Sequence, residues 1–129
     1  YGKGYKLMAF IKSTSTLSAD AVTVPGLSGG DNGKVVRISG ANTAVNAANT
    51  DTSTQLLSCL VKISGEYYAA GVVSGFTGLT PGAPLFLDAT GGLTPTPPTP
   101  TTSTRALLVG FAINTTDIVF RPGTPISGT

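Results

Sequence analysis

Any chemistry in this chain would have to come from six carboxylates, one thiol and one glycine-rich loop, because it holds no histidine. The carboxylates, Asp20, Asp31, Asp51, Glu66, Asp88 and Asp117, are scattered along the sequence. Paired acids cleave glycosidic bonds when a fold holds them on either side of the scissile bond, but no spacing here asks for such a pair. Glu66 and Asp88 are the two whose replacement by alanine would test that reading. A serine or cysteine nucleophile needs a base within hydrogen-bond reach, usually histidine, and the Ser-x-x-Lys spacing that can replace it does not occur. Zinc and iron sites draw on imidazole and thiolate, for which only Cys59 is present. Asp31, Asn32 and Asp51 offer oxygens suited to calcium, without the alternation of an EF-hand loop. Gly29-Gly30-Asp31-Asn32-Gly33-Lys34 invites comparison with a phosphate loop. The comparison fails, since Ser28 stands where the first loop glycine belongs and Val35 follows the lysine in place of Ser or Thr. Asn114-Thr115-Thr116 fits the N-glycosylation pattern, which carries little without a secretion signal. The expectation is a protein with no catalytic residue, no metal and no cofactor, whose product is a contact surface.

Composition points the same way. The 129 residues suit one domain with a single core. Apolar residues make up 40% and charged residues 11%, less than half the usual quarter of charged residues, so much of the surface must be Ser, Thr, Asn, Gly or apolar. Such a surface is tolerable when partners cover it. The net charge of +2 is too small for a general nucleic-acid binder. Lys3, Lys6 and Lys12 sit among the first twelve residues with no acid between them. This basic arm would either rest on an acidic protein surface or keep an edge strand soluble. No run approaches the roughly 18 apolar residues of a membrane span, and YGKGYKLMAFIK lacks a signal-peptide core, so a soluble, unsecreted chain is expected. Cys59, inside the apolar run Leu56–Ile63, should be a buried and inert thiol.

The elements that would position these residues are strands. Apolar runs bounded by turn residues predict strands near Lys6–Lys12, Ala21–Val24, Lys34–Ser39, Leu56–Ile63, Glu66–Ser74, Pro84–Asp88, Ala106–Ile113 and Asp117–Arg121. Tight reversals are expected at Asp31-Asn32-Gly33, Ser64-Gly65, Gly91-Gly92 and Asn114-Thr115. The result is an all-β domain, a small antiparallel sandwich or barrel of about eight short strands. Ala41–Ala48 lacks an apolar stripe and reads as the start of a loop reaching Gln55. Thr90–Thr104 holds seven Thr and four Pro. Proline has no amide to give a ladder, so this segment reads as an extended loop. Tyr67 and Tyr68 are adjacent on a strand and must face opposite ways; an outward tyrosine suits an interface. A Tyr/Lys arm, Tyr1, Lys3, Tyr5 and Lys6, together with Tyr68 and with Leu93, Pro97 and Pro98 of the Thr/Pro loop, makes up the candidate partner interface.

The pattern LTPGAPLFLD (Leu79–Asp88), GGLTPTPP (Gly91–Pro98), VGFA (Val109–Ala112) and IVFRPGTPI (Ile118–Ile126) resembles a module that recurs in structural proteins of tailed bacteriophages, among them capsid decoration (cement) proteins and fibre or spike proteins. The resemblance covers Gly71–Ile126, and residues 1–55 carry no recognised motif. It implies a β-rich subunit, often a homotrimer, added to the outside of the head shell, with the major capsid protein as partner and no role for nucleic acid or membrane. On that expectation, deleting Tyr1–Lys12 weakens attachment to the shell more than it destabilises the domain. Leu7, Phe10 and Ile11 equally suit burial within the domain.

Overall fold

A computed structural model describes residues 21–128. The strand expected at Lys6–Lys12, and with it Tyr1, Lys3, Tyr5 and Lys6, lies outside the described residues. Within them the chain is all-β. Its strands are β1 (Val22–Thr23), β2 (Lys34–Gly40), β3 (Thr43–Asn46), β4 (Cys59–Ile63), β5 (Glu66–Ser74), β6 (Pro84–Leu87), β7 (Leu93–Thr94), β8 (Arg105–Ala106), β9 (Leu108–Ala112), β10 (Asp117–Phe120) and β11 (Ile126–Ser127). Eight of them run in one antiparallel path, β3-β2-β4-β5-β10-β9-β6-β7, curled into a half-barrel; β1 pairs with β5 beside that path, and β8 with β11 makes a separate ribbon.

The turns follow from residue type. Ser64 and Gly65, both at positive φ, close β4 onto β5 with Ile63 opposite Glu66. Two positive φ values are the requirement of the type I′ turn, whose twist matches that of the strands. Asn114 holds the β9–β10 reversal through its side-chain oxygen, which accepts from the N–H groups of Thr116 and Asp117, each at 2.8 Å. Asp88 does the same between β6 and β7, accepting from Thr90 N–H at 2.7 Å and Gly92 N–H at 2.8 Å. That last turn also curls the sheet: the C=O of Gly91 takes the N–H of Val35 on β2 at 2.7 Å, and the C=O of Asp88 takes the N–H of Asn49 at 3.0 Å. A side chain at Gly91 would press on the Val35 and Ala47 carbonyls, so glycine is needed where the ends of the sheet meet.

β5 is the long strand that links the two halves. Its residues Tyr68 and Ala70 pair with β1 and its residues Glu66, Tyr67 and Tyr68 with β4, whereas Gly71–Ser74 pair with β10. The change of partner falls at Gly71, where φ is 106°. The period-2 rule sorts side chains by face except on β9, where the register shift against Leu85 and Phe86 lets Val109 and Ala112, three residues apart, both turn inward. Inward go Val35, Val61, Val73, Leu85, Leu87, Val109, Ala112, Ile118 and Phe120, which with Leu56 and Leu107 form the main core. In the other half the outer face is apolar too: Val36, Ala44, Leu60 and Tyr67 form a second cluster beneath Val24 and Leu27 of the segment that precedes β2.

Four expectations need correction. Thr43–Asn46, read as loop, is strand β3 on β2; Asn42 makes the tight return possible by accepting φ 54°, a conformation asparagine tolerates better than most residues. The run Leu56–Ile63 is strand only from Cys59, and Gln55–Ser58 is a 3-10 turn. Its start is a reciprocal clasp in which Thr52 Oγ1 accepts Gln55 N–H at 3.2 Å and Gln55 Oε1 accepts Thr52 N–H at 2.9 Å, a capping box written as Thr-x-x-Gln. The run Ala106–Ile113 splits at Leu107 into β8 and β9. Leu93 and Thr94 do join a ladder, with Leu87 and Phe86; the segment leaves the sheet only at Pro95, where the amide is lost.

Candidate interaction surface

Of the six acids, Asp31, Asp51, Asp88 and Asp117 are bound into the structure, and Asp20 lies outside the described residues. Asp31 accepts the Asn46 amide at 2.8 Å while its own N–H goes to Asn46 Oδ1 at 2.9 Å. Asp51 accepts Arg37 Nε and the Ala48 N–H, both at 2.9 Å. Asp117 is buried and accepts from Asn114 Nδ2 at 2.8 Å and Thr116 Oγ1 at 3.1 Å. Bonds from Asn114, Ser74 and Thr116 hold its carboxyl below the usual carboxylate range. Burial alone would raise Asp88, but the Thr90 and Gly92 N–H groups, the Thr90 hydroxyl and the Lys34 charge keep it low. Glu66 is exposed at the β4–β5 turn. Among the described residues no group of three or more His, Cys, Asp or Glu is placed to hold a metal ion. Cys59 is buried, and that burial, helped by the Asp51 charge against Arg37, pushes its thiol up to about 12.

The faces of the half-barrel carry the information that the acids lack. Val72 on β5 stands opposite Val119 on β10, Val119 opposite Phe111 on β9, and Phe111 opposite Pro84 on β6. Opposed residues in antiparallel strands share a face, and the neighbouring row Val73, Ile118 and Ala112 is buried inside. The row Val72-Val119-Phe111-Pro84 therefore crosses the outside of four strands. Its first three members are half-buried, and Pro84 is exposed. The Arg121 guanidinium lies 5.8 Å from the Phe111 ring centroid, close enough for a cation–π contact. On the other half of the barrel the equivalent face is covered by Val24 and Leu27. Beneath the Val119-Phe111 row β9 and β10 approach closely, because Gly110 has no Cβ to collide with the Val119 carbonyl.

Other apolar side chains stand further out: Leu57 is 69% exposed, Ile126 59% and Val22 57%. A shallow groove of about 160 Å³ opens between the loop after β5 and strand β7, lined by Thr77, Leu79, Thr80, Ala83, Leu93 and Pro95 among others.

Of the expected interface, Tyr1, Lys3, Tyr5 and Lys6 lie outside the described residues, and the structure places Tyr68, Leu93, Pro97 and Pro98. Tyr68 is half-buried against the main core, and Tyr67 is the tyrosine on the outer face, already covered, its hydroxyl donating to the Gly29 C=O at 2.6 Å. Tyr68 is thus an inner-face residue, contrary to the expectation of an outward anchor. Leu93 is likewise half-buried on the main core, with one side in the groove. Pro97 is exposed and Pro98 half-buried. The outer row was missed, although a signal existed. Leu107–Ile113 and Ile118–Phe120 are apolar at nearly every position and do not alternate, as expected of strands apolar on both faces. No helix among the described residues is long and apolar enough to cross a membrane. Comparison with protein-family models, with curated proteins and with solved structures finds no match to the chain.

Proposed function

We propose that this chain is a structural virion protein that binds the outside of an assembled phage capsid and stabilises it by bridging neighbouring major capsid proteins, acting as a homotrimer and not as an enzyme. The observation that carries the reading is the apolar row Val72-Val119-Phe111-Pro84 across a curled antiparallel sheet. It supplies a shaped contact face on a subunit poor in charge, and it lies within the segment that resembles phage decoration modules. A subunit that binds the assembled shell and not its dissociated parts stabilises the shell by mass action. Three linked copies gain further through effective concentration, so weak individual contacts hold. Tyr1, Lys3, Tyr5 and Lys6 of the arm, and Pro97 and Pro98 of the Thr/Pro loop, are proposed as additional contacts.

A second reading, a trimeric fibre, spike or baseplate module for a host-surface carbohydrate, would use the groove beside β7. Its lining holds no aromatic ring on which a sugar could stack, which favours the first reading. The variants Val119→Lys and Phe111→Ser test it. Both should keep the fold's circular dichroism while lowering the fraction that sediments with capsids about tenfold or more, since a charge buried without a partner is costly. Full retention of capsid binding by both variants would remove the outer row from the interface.

A further inference from the structure

We infer that Asn32 is a latent self-modification site, an asparagine whose cyclisation and deamidation the folded domain holds off. Its reaction is independent of the virion reading. Five asparagines occur in the sequence, and only Asn32 is followed by glycine, the others being followed by threonine or alanine. In an Asn-Gly pair no Cβ hinders attack of the glycine amide nitrogen on the asparagine side-chain carbonyl carbon. The nitrogen loses its proton, the new C–N bond closes a five-membered succinimide, and ammonia leaves. Water then adds to one or other ring carbonyl, that carbon's bond to the ring nitrogen breaks, and the nitrogen takes up a proton, giving aspartate or isoaspartate.

The pair is exposed, so solvent and hydroxide reach it. Both reacting groups are nevertheless held elsewhere. The nucleophile, Gly33 N–H, donates to the Lys62 C=O on β4 at 2.6 Å. The electrophile is turned across to the neighbouring hairpin, where Asn32 Oδ1 accepts the Gly65 N–H at 2.9 Å. Ring closure requires both bonds to break together, because the side chain must swing back toward its own following nitrogen. Asn32 is therefore a clasp between the start of β2 and the β4–β5 turn, and its chemistry proceeds through local opening of that clasp. Reaction is also destructive: the succinimide nitrogen has no hydrogen to offer Lys62, and isoaspartate inserts an extra backbone carbon where β2 begins.

The test is peptide mapping by mass spectrometry of the full chain kept in mildly alkaline buffer, folded or unfolded in urea, with Asn42, Asn46, Asn49 and Asn114 as internal controls. Protection by a local opening equilibrium predicts that Asn32 converts about tenfold or more slowly in the folded chain than in urea. It further predicts that Asn32 leads the controls once unfolded. In Gly65→Ala, which strains the clasp at φ 84°, conversion of folded protein should speed up. A folded-to-unfolded ratio nearer to one, or controls that convert as fast as Asn32 in urea, overturns the inference. The wild-type comparison stands even if the variant does not fold.

Discussion

At the scale of single residues, small and polar side chains decide the shape that apolar ones fill. Gly110 sits where β9 passes so close to β10 that a Cβ would meet the Val119 carbonyl. Gly110→Ala should therefore destabilise by about 3 kcal/mol, in the range of forced backbone displacement, measured by urea unfolding; a loss within the scatter of surface substitutions would show that β9 yields freely. Asp88 and Asp117 make a second case. Their carboxyls titrate below the ordinary value of 3.8 in the folded chain. Each contributes stability that is complete above that unfolded value and is lost as pH falls through the lower folded value. Thermal melts should be flat at neutral pH and fall below that ordinary value. Asp88→Asn should melt lower at neutral pH and lose less on acidification, whereas a parallel acid profile would remove Asp88 from the linkage. Asp88 was legible only as an acid near a Gly-Gly turn; that it caps the turn depends on two backbone N–H groups no spacing reveals.

At the scale of elements, the segment before β2 behaves as a strap over the outer face of β2, β3, β4 and β5. Its apolar contacts are Val24 and Leu27, and its polar anchors are the Gly29 and Gly30 carbonyls, which accept from Lys62 Nζ at 3.2 and 3.0 Å and, at Gly29, from Tyr67. Tyr67→Phe removes one anchor and should cost about 1 kcal/mol. Hydrogen exchange of the Ala44 amide, which donates to the Ser28 C=O at 2.8 Å, should speed up in that variant; unchanged exchange would mean the strap is held without the tyrosine. Most strands were legible because turn residues bracket them, as Ser64-Gly65 does for β4 and β5. β3 was not, because Thr-Ala-Val-Asn has weak strand character and forms through its pairing with β2, an interaction across the chain and not within it. The Thr52-x-x-Gln55 spacing is that of a capping box, but it runs straight into apolar Leu56 and Leu57, which read as the start of a strand.

At the scale of the whole molecule, one curled sheet produces two differently treated outer faces. The strap covers one, and the other carries the half-exposed row Val72, Val119 and Phe111 with exposed Pro84 and with Arg121 beside Phe111. That asymmetry was partly legible, since continuous apolar runs announce strands that are apolar on both sides. Which half the strap covers depends on the contacts of Val24, Leu27, Gly29 and Gly30 across the sheet, which no motif announces. An apolar row on the outer face of a sheet is suited to shape-matched contacts, and the proposed decoration role rests on that row. The most direct measurement is an image reconstruction of virions that carry this chain, with the density for the subunit counted and located. The proposal predicts many copies on the head exterior, spread over the shell and seated between neighbouring major capsid proteins with the Val119 face against a protein surface. Density confined to a few copies at a vertex or on the tail would contradict it.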